Sequence, residues 1–400
     1  MKNNKIVLVI NCGSSSVKFA AIDINSENLL ISGIAEKINS KGTFIKYKIN
    51  SDKHNIEQPN ASHEDIIDFI VNSILKKESS ILDDIIAVGH RVVHGGEFFS
   101  DSVIINDTVI EKIEESIGLA PLHNPAHVKG IRSAISVLPN TPQVAVFDTA
   151  FHQTLPQVAY LYSLPIELYK DHKIRRYGMH GTSHKYVCKK SAELLNLDFN
   201  DSNFISCHLG NGASVCAVKK GVSVDTSMGL TPLEGLTMGT RSGDLDPSII
   251  FHLVDQLGYS LEEVKSTLIS KSGLLGISGL TSDCREIEDA CSKGHTGSIL
   301  ALDIFCYKLA KYIASYFVPL INVDALIFTG GIGENSDIIR GKVLFNLKCF
   351  NYNLDETSNL NCRFGSEGVI TAKDSPVALV MPTNEELVIA QDSLSLVSSI

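Results

Sequence analysis

Of the 35 basic residues in this chain only eight are arginines, and two of those lie among glycines. Arg91 stands in GHRVVHGG (89–96) and Arg241 in GTRSGDLDP (239–247). A guanidinium offers a carboxylate or phosphate two parallel hydrogen bonds, and neighbouring glycines let backbone close around a small anion. The plainer readings are a surface salt bridge for Arg91 and a loop staple for Arg241. His180, in YGMHGTSH (177–184), precedes a glycine and a helix start, where an imidazole can donate to an anion or serve structure alone. Asp148 ends the apolar run of AVFDTAFH (145–152), a position suited to holding a metal, orienting a cation or forming a turn. Glu385, in PTNEEL, is a first-turn carboxylate that the helix dipole favours in any case.

Three small-residue loops could receive phosphate or nucleotide. In VLVINCGSSSVKFAAID (7–23) Gly13 and three serines separate two apolar runs, and Lys18 follows. Backbone N–H groups, the Ser14 and Ser16 hydroxyls and a lysine suit phosphate oxygens, although a hairpin turn has the same composition. HLGNG (208–212) repeats the device, and GGIGEN (330–335) adds a glycine turn against which an adenosine could lie. None matches the Walker or dinucleotide-binding glycine patterns. Three H-x-x-x-H pairs, 90/94, 123/127 and 180/184, lack the glutamate of zinc helices, and Pro125 and Gly181 interrupt two of them.

The elements that must carry these groups follow from periodicity. Residues 5–10 and 17–23 read as strands, more β-rich sequence continues to 49, and 51–61 reads as a polar loop. A helix fits 62–77, with Ser62 as cap and Ile66, Ile67, Ile70 and Ile74 on one face. Strands at 85–88 and 143–147 flank a helix at 126–138. Ser16-Val17-Lys18-Phe19-Ala20 aligns with Ser214-Val215-Cys216-Ala217-Val218, and a repeat at nearly half-length points to a duplicated domain. A long helix fits 298–321, DALIFTGGIGEN (324–335) reads as strand, turn and helix start, and Thr383 with Glu386 forms a capping box for the last helix.

With 400 residues, 44% hydrophobic and 20% charged, two globular domains are expected. A net charge of −10 argues against nucleic acid as partner. No apolar run approaches membrane-spanning length, and Ile6–Ile10 is too short for a secretory leader, so no membrane association is expected. Nine scattered cysteines without C-x-x-C suit a reducing, cytoplasmic setting.

Together the motifs resemble the acetate kinase family, of the superfamily of acetate and sugar kinases, heat-shock ATPases and actin. The likeness runs from Val9 to Gln391. Its most specific pieces are NCGSSSVKF, GGIGEN and PTNEEL, with GHRVVHGG, FDTAFH, YGMHGTSH, HLGNGAS and MGTRSGDLDP between them in the family's order. The resemblance implies an α/β fold of two duplicated ribonuclease H-like (actin-like ATPase) domains with an interdomain cleft, comprising 1–150 plus 384–400, and 151–383. It implies a homodimer that phosphorylates acetate reversibly to acetyl phosphate by direct in-line transfer, with ATP as co-substrate and Mg2+ or Mn2+. Propionate or butyrate kinase is the alternative within the family, and a nucleotide-switched binding protein the alternative outside it.

Carried over by residue, Asp148, His180, Arg241 and Arg91 are catalytic, with Arg91 also on the substrate carboxylate. Val93, Leu122 and Pro232 line the acetate pocket, and Asn11 and Glu385 attend the metal. Lys18, Ser14, Ser16, His208, Leu209, Gly210, Asn211 and Gly212 meet the ATP phosphates. Asp283, Cys284, Arg285, Gly331, Ile332, Gly333, Glu334 and Asn335 meet adenosine and ATP. Met179, before His180, stands where the family commonly has phenylalanine, which bears on pocket size and acyl chain length.

Overall fold

Alternating apolar residues build the opening hairpin. In the computed structural model, which describes residues 5–398 except 50 and 122, and 79 and 80 in backbone alone, strands β1 (Ile6–Cys12) and β2 (Ser16–Asp23) pair antiparallel. β3 (Asn28–Glu36), β4 (Phe44–Ile49) and β5 (Asp52–Glu57) extend the meander. β5 falls where the sequence reads as a loop. It is an edge strand with only Ile56 half-buried, so its polar composition carries no core signature, and pairing with β4 makes it a strand. On the other side of β1 lie β6 (Ile85–Val92), β7 (Val103–Ile104) and β8 (Gln143–Phe147), giving the order β5-β4-β3-β2-β1-β6-β8-β7.

Both faces of this sheet are covered, and the alternation divides them. Ile6, Leu8 and Ile10 pack with Ile66, Ile67, Ile70 and Ile74. Those isoleucines belong to the helix His63–Phe69, capped by Ser62 and Asp65, and to its wider continuation Ile70–Ile74. The helix Asn124–Val137 shares this face. A Cβ on Gly130 would lie 2.2 Å from the Cys12 sulfur, so only glycine lets that helix approach. Val7 and Val9 face the opposite way, against Leu387, Ile389 and Ala390 of the C-terminal helix Glu385–Val397.

The second sheet comprises β9 (Asn203–Leu209), β10 (Ala213–Lys219), β11 (Val222–Thr226), β12 (Ala325–Thr329), β13 (Gly368–Val369) and β14 (Ala378–Val380), in the order β11-β10-β9-β12-β14-β13. The helix Thr296–Ser315 covers its Ile205, Cys207, Leu209 and Leu326, Phe328 face.

The series β3-β2-β1-β6-β8 and β11-β10-β9-β12-β14 match strand for strand in order and direction. Three strands run antiparallel, followed by two parallel crossovers. This is the duplicated α/β architecture of actin-like ATPase domains. The duplication is imperfect at its most conspicuous point. Pairing Cys12 with Val17 leaves a turn of four residues, 13–16, whereas pairing Leu209 with Ala213 leaves three, 210–212, so Lys18 corresponds to Ser214, and the alignment of Ser16 with Ser214 that the sequence suggests is displaced by two residues.

The chain divides into two compact units, one ending at Gln153 and resuming at Asn384, the other Thr154–Thr383. The helix Gly181–Leu195, which follows β8, belongs to the second unit, and the helix that follows β14 belongs to the first.

Candidate active site

In the first unit the C-terminal helix lies over Val7 and Val9 of β1, Ala20 and Ile22 of β2, Ala87 of β6, and Val144 and Val146 of β8. A Cβ on Gly89 would stand 2.6 Å from Ile389, so β6 meets this helix closely. Side chains two apart share a face. One step beyond the apolar set, that face therefore presents Asn11, Lys18, Arg91 and Asp148, with Asn11 paired to Lys18 across the hairpin. Asn384 caps the helix by accepting from the Leu387 N–H at 3.1 Å, placing Glu385 and Glu386 in its first turn. The expected Thr383 cap is thus replaced by Asn384. The carboxyl ends of parallel strands are where open α/β sheets bind ligands.

Arg91 and Asp148 meet as a fork, with Nε 3.0 Å from Oδ1 and Nη2 2.7 Å from Oδ2. Asp148 is buried and prolongs β8 by donating its N–H to the Val92 carbonyl at 3.0 Å. The Asp148 charge holds the guanidinium far above its ordinary range, against the effect of burial, and Glu385 adds to it. Burial drives the Asp148 carboxyl upward, and Arg91 opposes that. Asp148 uses Nε and Nη2, so it leaves the Nη1 edge of the fork for another anion. Burial also lowers His90 to about 4 and His127 to about 3, the latter with a push from Arg91, so neither ring adds positive charge at pH 7. Val93 is buried next along β6, and Leu122 lies outside the described residues. In the opening turn, Gly13 donates to the Ser16 carbonyl at 2.7 Å, and His63 hydrogen-bonds the Gly13 carbonyl at 2.8 Å. Ser14 is exposed, Ser16 half-buried and Lys18 exposed.

The second unit gathers histidines and hydroxyls instead. His180 sits at φ +61°, immediately before the helix Gly181–Leu195, and its Nδ1 is 2.9 Å from Ser214 Oγ. His184 Nε2 meets the same hydroxyl at 2.8 Å, and its Nδ1 meets Ser206. His208 hydrogen-bonds Ser183 at 2.8 Å and stacks on His180 with ring centres 4.2 Å apart. Arg241 donates to the Pro232 carbonyl at 3.1 Å. A Cβ on Gly212 would lie 3.2 Å from Arg241 Nη1 and 3.7 Å from His180 Nε2, so both side chains flank the 210–212 turn. Gly239 donates to the Asn211 carbonyl at 3.0 Å, locking the arginine loop to that turn. Burial lowers the Arg241 pKa. Met179 is a core residue here, packed with Ile205 and Cys207.

A cavity of about 760 Å³ lies in this unit. It brings together Gly210, Asn211, Asp283, Cys284, Arg285, Gly331, Ile332 and Asn335. Asp283 caps the helix Cys284–Ser292 and pairs with Arg285 at 2.6 Å, which with backbone donors lowers its carboxyl to about 2. His208, Leu209, Gly212, Gly333 and Glu334 belong to the same unit but do not line the cavity, and Leu209 is a core residue. Lys18, Ser14 and Ser16 belong to the first unit. Sequence reasoning missed Glu288, Arg363 and Phe364 on the cavity wall. Arg363 carried a usable signal, since it is another scarce arginine close to a glycine, Gly365. Ser183, Ser214 and His184, which hold His180 and His208, had none beyond their place in the quoted motifs.

The repeated α/β sheets and the cavity beside two glycine turns define a duplicated scaffold of the actin-like ATPase type. Comparison gives the family. Residues 6–391 match the model of the acetokinase family, and the chain belongs to it. It is 60% identical over 397 residues to the acetate kinase of Shewanella sp. (strain ANA-3), covering 99% of this chain and 100% of that one. The crystal structure of Porphyromonas gingivalis acetate kinase is similar with a TM-score of 0.94 at 43% identity, covering 98% of this chain and 99% of that one. A propionate kinase from Francisella tularensis subsp. tularensis SCHU S4 is similar with a TM-score of 0.92 at 47% identity, covering 98% of this chain and 100% of that one. Among the described residues no helix is long and apolar enough to cross a membrane.

Kinases of this family use ATP and a divalent metal. Asn11 and Glu385 are both half-buried on the ligand-facing side of the first sheet, and they offer a carboxamide and a carboxylate oxygen. Hard oxygen donors in small number are the kind that suit a cation keeping waters and substrate phosphates in its shell, and among the described residues no cluster of three or more His, Cys, Asp or Glu forms a metal site.

Proposed function

We propose that this chain transfers the γ-phosphoryl group of ATP to acetate, reversibly and in line, giving acetyl phosphate and ADP. The observation that carries the reading is Arg91, fixed by Asp148 at the strand ends with one edge of its fork free for a carboxylate. Acetate is ionised at pH 7, because carboxylic acids titrate near 4, so no general base is needed. The barrier is the approach of one anion to another. Arg91 holds the carboxylate, and Val93, Leu122 and Pro232 are the candidates for contact with the methyl group. Arg241 and His180 donate to the equatorial oxygens of the moving phosphoryl group, where each such donor contributes about 3–4 kcal/mol. Asp148 orients Arg91. Lys18, the serine turn and the 208–212 turn receive the ATP phosphates, and residues 283–285 with Gly331, Ile332, Gly333 and Asn335 the adenosine. Asn11 and Glu385 hold Mg2+, or Mn2+, which neutralises phosphate charge when bound.

The domains are taken as 1–150 plus 384–400, and 151–383, whereas the division between the two compact units falls after Gln153. The protein is a cytoplasmic homodimer. Supporting the dimer alone, the helix Ser248–Asp255 is strongly apolar yet buries no residue, and Ile249, Phe251 and neighbouring Leu261 are exposed.

Hydroxamate trapping of acyl phosphate, with ATP and C2, C3 or C4 acids, tests the reading. The expected result is highest kcat/KM with acetate. A methylene is worth about 1–3 kcal/mol, so a preference of that size for propionate or butyrate would shift the assignment along the acid series. Absence of acyl phosphate with every acid would overturn it.

A further inference from the structure

Glu334 lies within the glycine turn that borders the nucleotide cavity, yet it does not share the wall that Gly331, Ile332 and Asn335 form. Its carboxylate is engaged elsewhere. One oxygen, Oε1, accepts from the Gly330 N–H at 2.9 Å and from the Thr383 N–H at 3.0 Å, with the Thr329 hydroxyl at 3.4 Å. Gly330 packs closely at this contact. It sits at φ +75°, and a Cβ there would be 2.8 Å from the Leu209 carbonyl, so the turn is seated on the end of β9. Thr383 is gripped a second time, because its hydroxyl is 2.8 Å from Ser183 Oγ, which in turn meets His208. Thr383 is also the last residue of the second unit, and Asn384 and Glu385 follow it directly into the C-terminal helix.

We propose that Glu334 is a positioning residue for the divalent metal rather than a contact to ATP. By tying the Thr383 peptide to the turn beside the cavity, it sets where the chain enters the last helix. It thereby couples an ordered nucleotide turn to presentation of the Glu385 carboxylate two residues on. The inference rests on the reading of Glu385 as a metal-associated residue.

The test follows Mn2+ binding to the full chain in the presence of ADP, by the EPR signal of the free ion. Deuterium uptake over residues 381–388 is measured on the same samples. Glu334→Ala should weaken Mn2+ about tenfold, the loss of one to two charge-assisted hydrogen bonds, with unchanged sites per folded chain and faster exchange at Thr383. Glu334→Gln keeps an oxygen acceptor and should stay within about threefold of wild type. Glu334→Asp withdraws the carboxylate by one methylene, and should weaken Mn2+ in the same direction if alanine compromises folding. A purely structural role would lower the melting temperature and the number of sites while leaving the Mn2+ dissociation constant of the folded protein unchanged, and that outcome overturns the proposal. Glu385→Ala separates the two readings. Unchanged Mn2+ affinity in Glu385→Ala removes the metal assignment and the proposal with it. Weakened affinity there, with none in Glu334→Ala, removes the proposal alone.

Discussion

The two sheets put different chemistry at the same place. On the first, the strand ends carry Asn11, Lys18, Arg91 and Asp148. Strand pairing identifies the corresponding positions on the second. His208 pairs with Ser214 as Asn11 pairs with Lys18, and Thr329 stands beside His208 at the end of β12. Thr383 follows β14 as Asp148 follows β8. One sheet therefore ends in charges and the other in imidazole and hydroxyl groups. The charged set makes a single rigid cation, because Arg91 is clamped twice by a buried carboxylate. The neutral set makes a network, with Ser183 joining His208 to Thr383 and Ser214 joining His180 to His184. Its positive charge, Arg241, arrives from a loop outside the sheet. Under the proposed function, one copy of the duplicated scaffold would supply a fixed carboxylate anchor and the other a networked set of phosphoryl donors.

Removing the loop cation tests that division most severely. Arg241→Ala should lower kcat by roughly 10²–10³-fold while the KM for ATP moves little, because the guanidinium acts on charge that develops during transfer. Steady-state kinetics at saturating acetate checks this. Turnover near wild type would mean that the second unit needs no cation of its own.

Asp148→Asn addresses the charged copy. It keeps the shape and one acceptor but loses the charge that fixes Arg91. The expected loss is roughly 10–100-fold in kcat, the value of about 1.5–3 kcal/mol for hydrogen bonds to charged groups, with the acetate KM roughly intact. Measuring kcat and KM separately decides it. A rise in KM alone would make Asp148 a binding residue and leave Arg91 adequately held by its neighbours.

Much of this architecture was legible in the sequence because it rests on short-range pattern. The isoleucines at 66, 67, 70 and 74, the apolar run 144–147 of β8 and the paired glycine turns declare their elements locally. β5 was not legible, since an edge strand exposed on both faces owes its existence to its partner rather than to its own residues. The site divides in the same way. Arg91 and Arg241 stand out by scarcity and glycine context, whereas Glu334 reads as part of a nucleotide loop until the fold brings Thr383, 49 positions away, within hydrogen-bond reach of it. Asp148 ends a recognisable strand, but its fork with Arg91 depends on a register between strands that no local pattern states.

The gentlest probe sharpens the comparison on the neutral side. Ser214 stands at the position corresponding to Lys18, and its hydroxyl contacts both His180 and His184. Ser214→Ala leaves those rings in place and removes one shared partner. A neutral hydrogen bond contributes about 1 kcal/mol, so the expected cost is roughly fivefold in kcat, well below that of Asp148→Asn. If the two substitutions instead cost the same, the network would be fixing His180 as firmly as Asp148 fixes Arg91. The contrast between a clamped copy and an adjustable one would then fail. Measuring both variants in one assay, with the acetate and ATP concentrations saturating for each, separates these outcomes, because the predicted gap exceeds the scatter between preparations only when neither KM limits the rate.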